Sequence, residues 1–234
     1  DDSVATIIGE ENVLIRRARG YVPKPFYLGY NLPEVLGLGA HLKNTICYTR
    51  GNKAYLSQYI GDMGQLNTIE YFHKILDHYT RIYNFKPEMV VSDLHPDFYV
   101  SQFASNLDCE FIQLQHHNAH LASVLASAES AGYDFMEPLV LGCILDGYGY
   151  GEHGEALGGE LIMFNRNNLT FTNLSQLPGL YIPGGDLAEK EPWRTAVTMC
   201  LQNDLPIPRH LLIHPLVNQL IELFNKRQFA TTTS

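Results

Sequence analysis

The sequence is poor in the features that would place it quickly. Its four cysteines, Cys47, Cys109, Cys143 and Cys200, form no Cys-x-x-Cys pair. That excludes a knuckle of paired cysteine ligands and a small disulfide-stapled framework. Each lies in apolar surroundings, so buried, reduced thiols are expected. No apolar run reaches the length of a membrane span, and no secretory leader pattern is present. No run of five basic residues occurs, the densest cluster being Arg16-Arg17-Ala18-Arg19, and the net charge is -9. Nucleic acid is therefore disfavoured as a partner. A soluble cytoplasmic protein is the expectation.

What is present is ordinary for a globular chain: 234 residues, 45% hydrophobic and 18% charged. That is enough for one large domain or two lobes with real cores. The chain opens on Asp1-Asp2-Ser3-Val4 without a methionine and closes on the polar run Ala230 to Ser234. Both ends read as those of a fragment of a longer protein.

Short extended runs, Val4–Ile8 and Val13–Arg17, flank Gly9 to Asn12 as a hairpin. Gly20 to Pro25 reads as a linker because of its prolines. Val35–Ala40 is an apolar strand, and Lys43–Tyr48 with Ala54–Ile60 form a second hairpin around Arg50-Gly51-Asn52-Lys53. Leu66 to Tyr83 repeats apolar residues with a 3.6 period and predicts a helix. Met89–Asp93 and Phe111–Leu114 are strands, each followed by a helix, to about Ala104 and from His116 to Ala128. A new strand, Leu139–Leu145, then restarts the pattern, with strands at Gly158–Phe164 and Thr170–Leu174. Helices follow at about Gly185–Gln202 and Leu211–Phe224, with Pro192 either separating the first turn or marking a later start.

Three strands followed by alternating helices and strands, then a restart, predicts an α/β chain. It would have duplicated ribonuclease-H-like lobes, as in the actin, hexokinase and acetate-kinase superfamily, with the second lobe truncated. Fold analogy fixes no chemistry. It does direct attention to the glycine turns that open each lobe, where phosphate would lie.

His116 and His120 share one helix face directly after a strand, and Asp146 ends an apolar strand. Two imidazoles with a carboxylate suit iron, zinc or manganese, and a helix start favours an anion beside such an ion. His117 faces about 100° away and either contacts substrate or packs. Behind Asp146, the glycines Gly147, Gly149 and Gly151 could form a plain turn or let backbone amides approach a phosphate. Gly37, Gly39, Lys43 and Asn44 open the first lobe the same way. Lys43 reads equally as an exposed strand lysine or as a phosphate counter-charge. Pro183-Gly184-Gly185-Asp186 is either a capped turn or a loop accepting from ribose hydroxyls.

Several stretches taken together resemble one family, the HypF carbamoyltransferases of hydrogenase maturation. They are Asp1 to Val4; Ile15 through Arg19-Gly20-Tyr21-Val22-Pro23; and Leu38-Gly39-Ala40-His41-Leu42-Lys43-Asn44-Thr45. They continue with Ser92-Asp93-Leu94-His95-Pro96-Asp97; Gln115 to His120; Leu145 to Gly151; Gly158-Gly159-Glu160; and Pro183 to Asp186 with Glu191-Pro192-Trp193-Arg194. Each is weak alone, but they keep the family's order along the whole chain.

The resemblance implies residues 1–23 as the tail of a YrdC-like domain and its linker, 24–137 as the first lobe of a carbamoyltransferase domain, and 138–234 as an incomplete second lobe. It implies that His116, His120 and Asp146 hold a divalent metal, magnesium joining the metals named above. It further implies that Gly37, Gly39, Lys43 and Asn44 form one phosphate turn, Gly147, Gly149 and Gly151 a second, and Gly184, Gly185 and Asp186 the ribose-side loop. The expected substrates are carbamoyl phosphate and ATP, joined as carbamoyl adenylate. The expected partner is HypE, whose C-terminal cysteine takes the carbamoyl group that becomes the cyanide ligands of the [NiFe] hydrogenase centre. Further chain is expected on both sides: an acylphosphatase-like region, zinc-binding fingers and most of the YrdC-like domain before, and the adenine pocket with another Asp ligand after. Two alternatives stand beside this reading. One is a different carbamoyltransferase of the same superfold, acting on an antibiotic or on tRNA adenosine. The other is a fragment that binds nucleotide or metal without turnover.

Overall fold

Parallel strands covered on both faces need continuous apolar runs, and Met89–Asp93 supplies one beside Val35–Leu38. Around this pair a computed structural model of the chain builds its first unit. The structure describes residues 2–226 and 232–233; the side chains at 11, 186, 189, 232 and 233 lie outside the described ones. It divides into two units, Asp1–Met136 and Glu137–Ser234.

The first unit begins with a separate hairpin, β1 (Val4–Ile8) and β2 (Glu11–Arg16). A five-stranded sheet follows, built from β3 (Phe26–Leu32), β4 (Val35–Leu38), β5 (Ile46–Leu56), β6 (Met89–Asp93) and β7 (Glu110–Leu114). Its spatial order is β3-β5-β4-β6-β7, antiparallel on the β3–β5–β4 side and parallel across β4, β6 and β7. This is the ribonuclease-H-like arrangement expected. Helices α1 (Leu66–Tyr83), α2 (Tyr99–Ala104) and α3 (His116–Ser130) complete the unit.

Helix α1 matches its expected bounds because its apolar stripe is regular. Phe72, Ile75 and Tyr79 fall on one face and are buried. The helix stops where Asn84 turns left-handed and the Phe85 N–H donates to the Thr80 carbonyl, with Pro87 just beyond. Leu36, Ile46, Tyr48, Phe72, Val90 and Val100 form the centre of the core. Arg17 ties the hairpin to this body. Its guanidinium donates to the carbonyls of Leu56, Tyr21 and Lys24 and lies over the Phe26 ring.

Two expectations fail here. Arg50-Gly51-Asn52-Lys53 is no turn: β5 runs straight through it and changes partner, pairing with β4 at 46–48 and with β3 at 51–54. The local composition is turn-like, but the pairing with β3 overrides it. Gly51 takes the left-handed conformation, and Arg50 is held by Glu34 Oε1 at 2.6 Å and the Tyr83 carbonyl. The Arg50 guanidinium, with the Lys86 N–H, keeps the Glu34 carboxyl below its ordinary pKa. The second failure is β3 itself, which lay unread after the proline linker.

The second unit opens with an antiparallel sheet of β8 (Leu139–Tyr150), β9 (Ala156–Asn165) and β10 (Thr170–Gln176). A short pair follows, β11 (Leu180–Tyr181) with β12 (Thr232–Thr233). Helices are α4 (Asp186–Lys190), α5 (Trp193–Gln202), α6 (Arg209–Leu212) and α7 (Val217–Asn225). Pro192 separates α4 from α5, and Pro215 lies between α6 and α7 where one helix was expected. Val197, Val217 and Leu220 pack together. No helix among the described residues is long and apolar enough to cross a membrane.

The cysteines also depart from expectation. All are free, but Cys143 is exposed, because alternation along β8 turns it outward with Leu141 and Leu145. Burial pushes the Cys47 thiol up to about 11. At pH 8 about a thousandth of it is thiolate. Iodoacetamide at pH 8, followed by peptide mass spectrometry, is expected to label Cys143 first and Cys47 last. Phe72→Ala is expected to cost about 3–5 kcal/mol of stability, read by urea denaturation.

Candidate metal and phosphate cleft

Three parallel strands end on the same edge of the first unit's sheet, and their C-terminal ends surround a cleft. The cavity measures about 600 Å³. Gly37 within β4 and Gly39, Ala40 and Lys43 after it line the cleft, with Ser92 and Asp93 at the end of β6 and His116, Ala119, His120, Ala122 and Ser123 along α3. Of the five α3 residues, His116, Ala119, His120 and Ser123 recur at i, i+3, i+4 and i+7, one helix face. Ala119 and Ser123 are small, which leaves room in front of the histidines. The Gln115 side chain accepts from the Asn118 N–H at 2.9 Å and fixes the first turn of α3.

The histidine pair is built around a buried carboxylate. Asp93 Oδ2 lies 2.7 Å from His116 Nδ1, and the Asp93 side chain is 5% exposed. Its other oxygen, Oδ1, accepts from the His95 N–H at 2.9 Å. An ionised carboxylate only accepts, so this contact is satisfied by a proton on His116 Nδ1. His116 Nε2 and His120 Nε2 are 3.1 Å apart. At that separation the two nitrogens can share a proton, or both can serve as ligands of one cation.

The distance suits a hydrogen bond and is also compatible with two ligands of one cation. With nitrogen ligands at about 2.0–2.1 Å, the ligand-to-ligand edge is about 2.9 Å for octahedral and about 3.3 Å for tetrahedral coordination. A carboxylate behind one metal-ligating imidazole is the usual support for its tautomer and ring angle. His117 is fully buried and packs.

The glycine turn borders the same cleft. A Cβ at Gly39 would stand 2.7 Å from the Thr45 carbonyl oxygen, so only glycine fits there. Gly37 has no such restriction, since its Cβ would meet Cys47 at 3.7 Å. Lys43 is exposed on the cleft wall with φ 52, a left-handed conformation costing of order 1–3 kcal/mol for a residue with a side chain. Asn44 is 1% exposed and is not part of the lining.

The remaining expected site residues belong to the second unit. Asp146 sits on β8, its Oδ1 accepting from the Gly147 N–H at 2.7 Å. The segment after it is not the open turn expected. Strand β8 continues to Tyr150, with a register shift between Leu145 and Gly149, and Gly149 pairs with Leu157 on β9. Gly151 follows the strand, its N–H donating to the Glu155 carbonyl. Gly184 and Gly185 both take positive φ, which supports the turn reading, and the side chain of Asp186 lies outside the described ones.

Sequence reasoning missed Asp93 as the partner of His116. The signal was in the register: Asp93 pairs with Leu114 on the parallel neighbour β7, two residues before His116. Asp93→Ala is expected to weaken zinc binding by the chain about 10–100-fold in calorimetric titration. An unchanged affinity would separate Asp93 from the metal site.

Comparison with known proteins places the chain. The HypF Kae1-like domain family matches residues 31–127, and the second subdomain of the carbamoyltransferase Kae1-like domain matches 142–233. Carbamoyltransferase HypF of Rhizobium leguminosarum bv. viciae is 41% identical over 197 residues, covering 84% of this chain and 25% of the relative. HypF2 of Cupriavidus necator is 41% identical over 84% of this chain and 24% of its own length. A full-length HypF crystal structure in a phosphate- and nucleotide-bound form superposes with a TM-score of 0.81 at 29% identity, over 100% of this chain and 30% of that one. The T. kodakarensis HypF structure gives 0.69 at 31% identity, over 85% of this chain and 26% of that one. The chain thus spans about a quarter of the length of the curated relatives it matches. It belongs to the HypF family and corresponds to that family's Kae1-like region.

Proposed function

We propose that this chain is the carbamoyl-transfer portion of a cytoplasmic hydrogenase-maturation carbamoyltransferase. The observation that carries the reading is the juxtaposition in one cleft of the His116–His120 pair, backed by Asp93, with the glycine turn that bears Lys43. Residues 1–23 would be the tail of a YrdC-like domain, 24–137 the first lobe of the transferase domain and 138–234 the start of its second. The name carbamoyltransferase, borne by the relatives, supports this assignment.

The substrate is carbamoyl adenylate, formed from carbamoyl phosphate and ATP. A divalent metal held by His116 and His120 would supply Lewis-acid chemistry to the transfer. The metal reading is carried here by His116 and His120, each presenting Nε2. Asp93 keeps the His116 proton on Nδ1 throughout. Lys43 neutralises phosphate charge at the cleft wall, and Gly39 lets the backbone lie close. The acceptor is the C-terminal thiolate of HypE. Its sulfur forms a bond to the carbamoyl carbon as the carbon–oxygen bond to the phosphate breaks, and AMP leaves with that electron pair. The product thiocarbamate is the source of the hydrogenase cyanide ligands.

Full-length protein carrying His116→Ala is expected to carbamoylate HypE at least about a hundredfold more slowly, since it loses several kcal/mol of charge stabilisation. Intact-mass measurement of HypE after incubation with carbamoyl phosphate and ATP gives the rate. Undiminished carbamoylation would remove the histidine from the chemistry.

A further inference from the structure

Asn44, which the family resemblance places in the first phosphate turn, makes its contacts with the backbone of that turn and of residues 60–61. Its Nδ2 donates to two successive carbonyls, Gly39 at 2.9 Å and Ala40 at 2.8 Å. Its backbone N–H donates to the Gly61 carbonyl at 2.8 Å, and its carbonyl accepts from Ile60 at 2.9 Å. One turn further out, the His41 carbonyl accepts from the Met63 N–H at 2.9 Å. The glycine turn is thereby clamped against residues 60–63, and Lys43, in its left-handed conformation, lies between the held His41 carbonyl and Asn44.

The amide orientation follows from its partners, because only the NH2 end can face two carbonyls. The other end, Oδ1, is buried and makes no hydrogen bond among the described residues. A buried acceptor left unmet is costly, so a residue kept only to fill space would be apolar. What the amide does provide is a grip on two carbonyl oxygens. Left loose, either could swing toward the cleft and repel an anion there.

We propose that Asn44 is a positioning residue for phosphate binding: its side-chain amide draws the Gly39 and Ala40 carbonyls inward and locks the turn that carries Lys43 on the cleft wall. This rests on the phosphate reading of the cleft given above. It assigns Asn44 no contact with the phosphate.

The test uses the 234-residue chain, inorganic phosphate titrated by phosphorus NMR, zinc titrated by calorimetry, and amide hydrogen exchange. Asn44→Leu removes the donors without adding charge. It is expected to raise the phosphate Kd about tenfold or more, to speed exchange of the amides of residues 39–45, and to leave the zinc titration unchanged. Lys43→Ala is expected to weaken phosphate with exchange unchanged. Phosphate affinity unaffected by Lys43→Ala would overturn the phosphate reading itself. Wild-type phosphate affinity in Asn44→Leu would overturn the positioning role alone. So would weakened phosphate with unaltered exchange, since Asn44 would then touch the ligand. Should Asn44→Leu fail to fold, Gly39→Ala decides, because its Cβ spreads the same turn against the Thr45 carbonyl. Undiminished phosphate affinity there overturns the proposal.

Discussion

The parallel pairing of β4, β6 and β7 is the constraint on which the first unit's chemistry depends. Parallel neighbours finish on the same edge, so the glycine turn, Asp93 and His116 arrive together although they are far apart in the chain. The register then does finer work. Pairing Asp93 with Leu114 puts a carboxylate beside the start of α3, where it meets His116 Nδ1. A slip of one residue would turn Asp93 to the other face of the sheet and leave the imidazole without its partner. Burial raises the stakes, because a carboxylate this enclosed must be satisfied by its neighbours.

Much of this was legible from residues alone, and for identifiable reasons. The helix over Leu66–Tyr83 was readable because Phe72, Ile75 and Tyr79 repeat with helical spacing. The histidine pair was readable because two residues four apart on a helix must share a face. Both are local facts. What escaped was non-local. Strand β5 was taken for a turn at Arg50–Lys53 because its pairing with β3 cannot be seen in four residues of turn-like composition. Asp93 escaped because its partner sits on a different strand. The glycines after Asp146 were read as an open turn, although the ladder with β9 continues through Gly149. The contacts of Asn44 with the Gly39 and Ala40 carbonyls were likewise invisible in the sequence, because they depend on the folded path of the turn.

Strain and restraint alternate along the glycine turn. Gly39 answers a steric demand, Lys43 accepts a backbone cost, and Asn44 lies between them and the core. A left-handed lysine persists only where its surroundings over-determine it. The hydrogen bonds from residues 60–63 provide that surplus. The same logic applies at the hairpin, where Arg17 spends its donors on the carbonyls of Leu56, Tyr21 and Lys24 and so fixes the path of the chain leading into β3.

The spacing of His116 and His120 has one more consequence. Both imidazoles are mounted on a single helical turn, so helix pitch brings their rings to one side, and the contact with Asp93 restrains the ring of His116. Ions that bind imidazole at about 2.0–2.1 Å match the spacing of the two nitrogens. Calcium, which prefers oxygen ligands at about 2.3–2.6 Å, finds the wrong donors there. On the proposed metal reading, the choice of ion would begin with the donors that one helix face presents, two nitrogens and no oxygen.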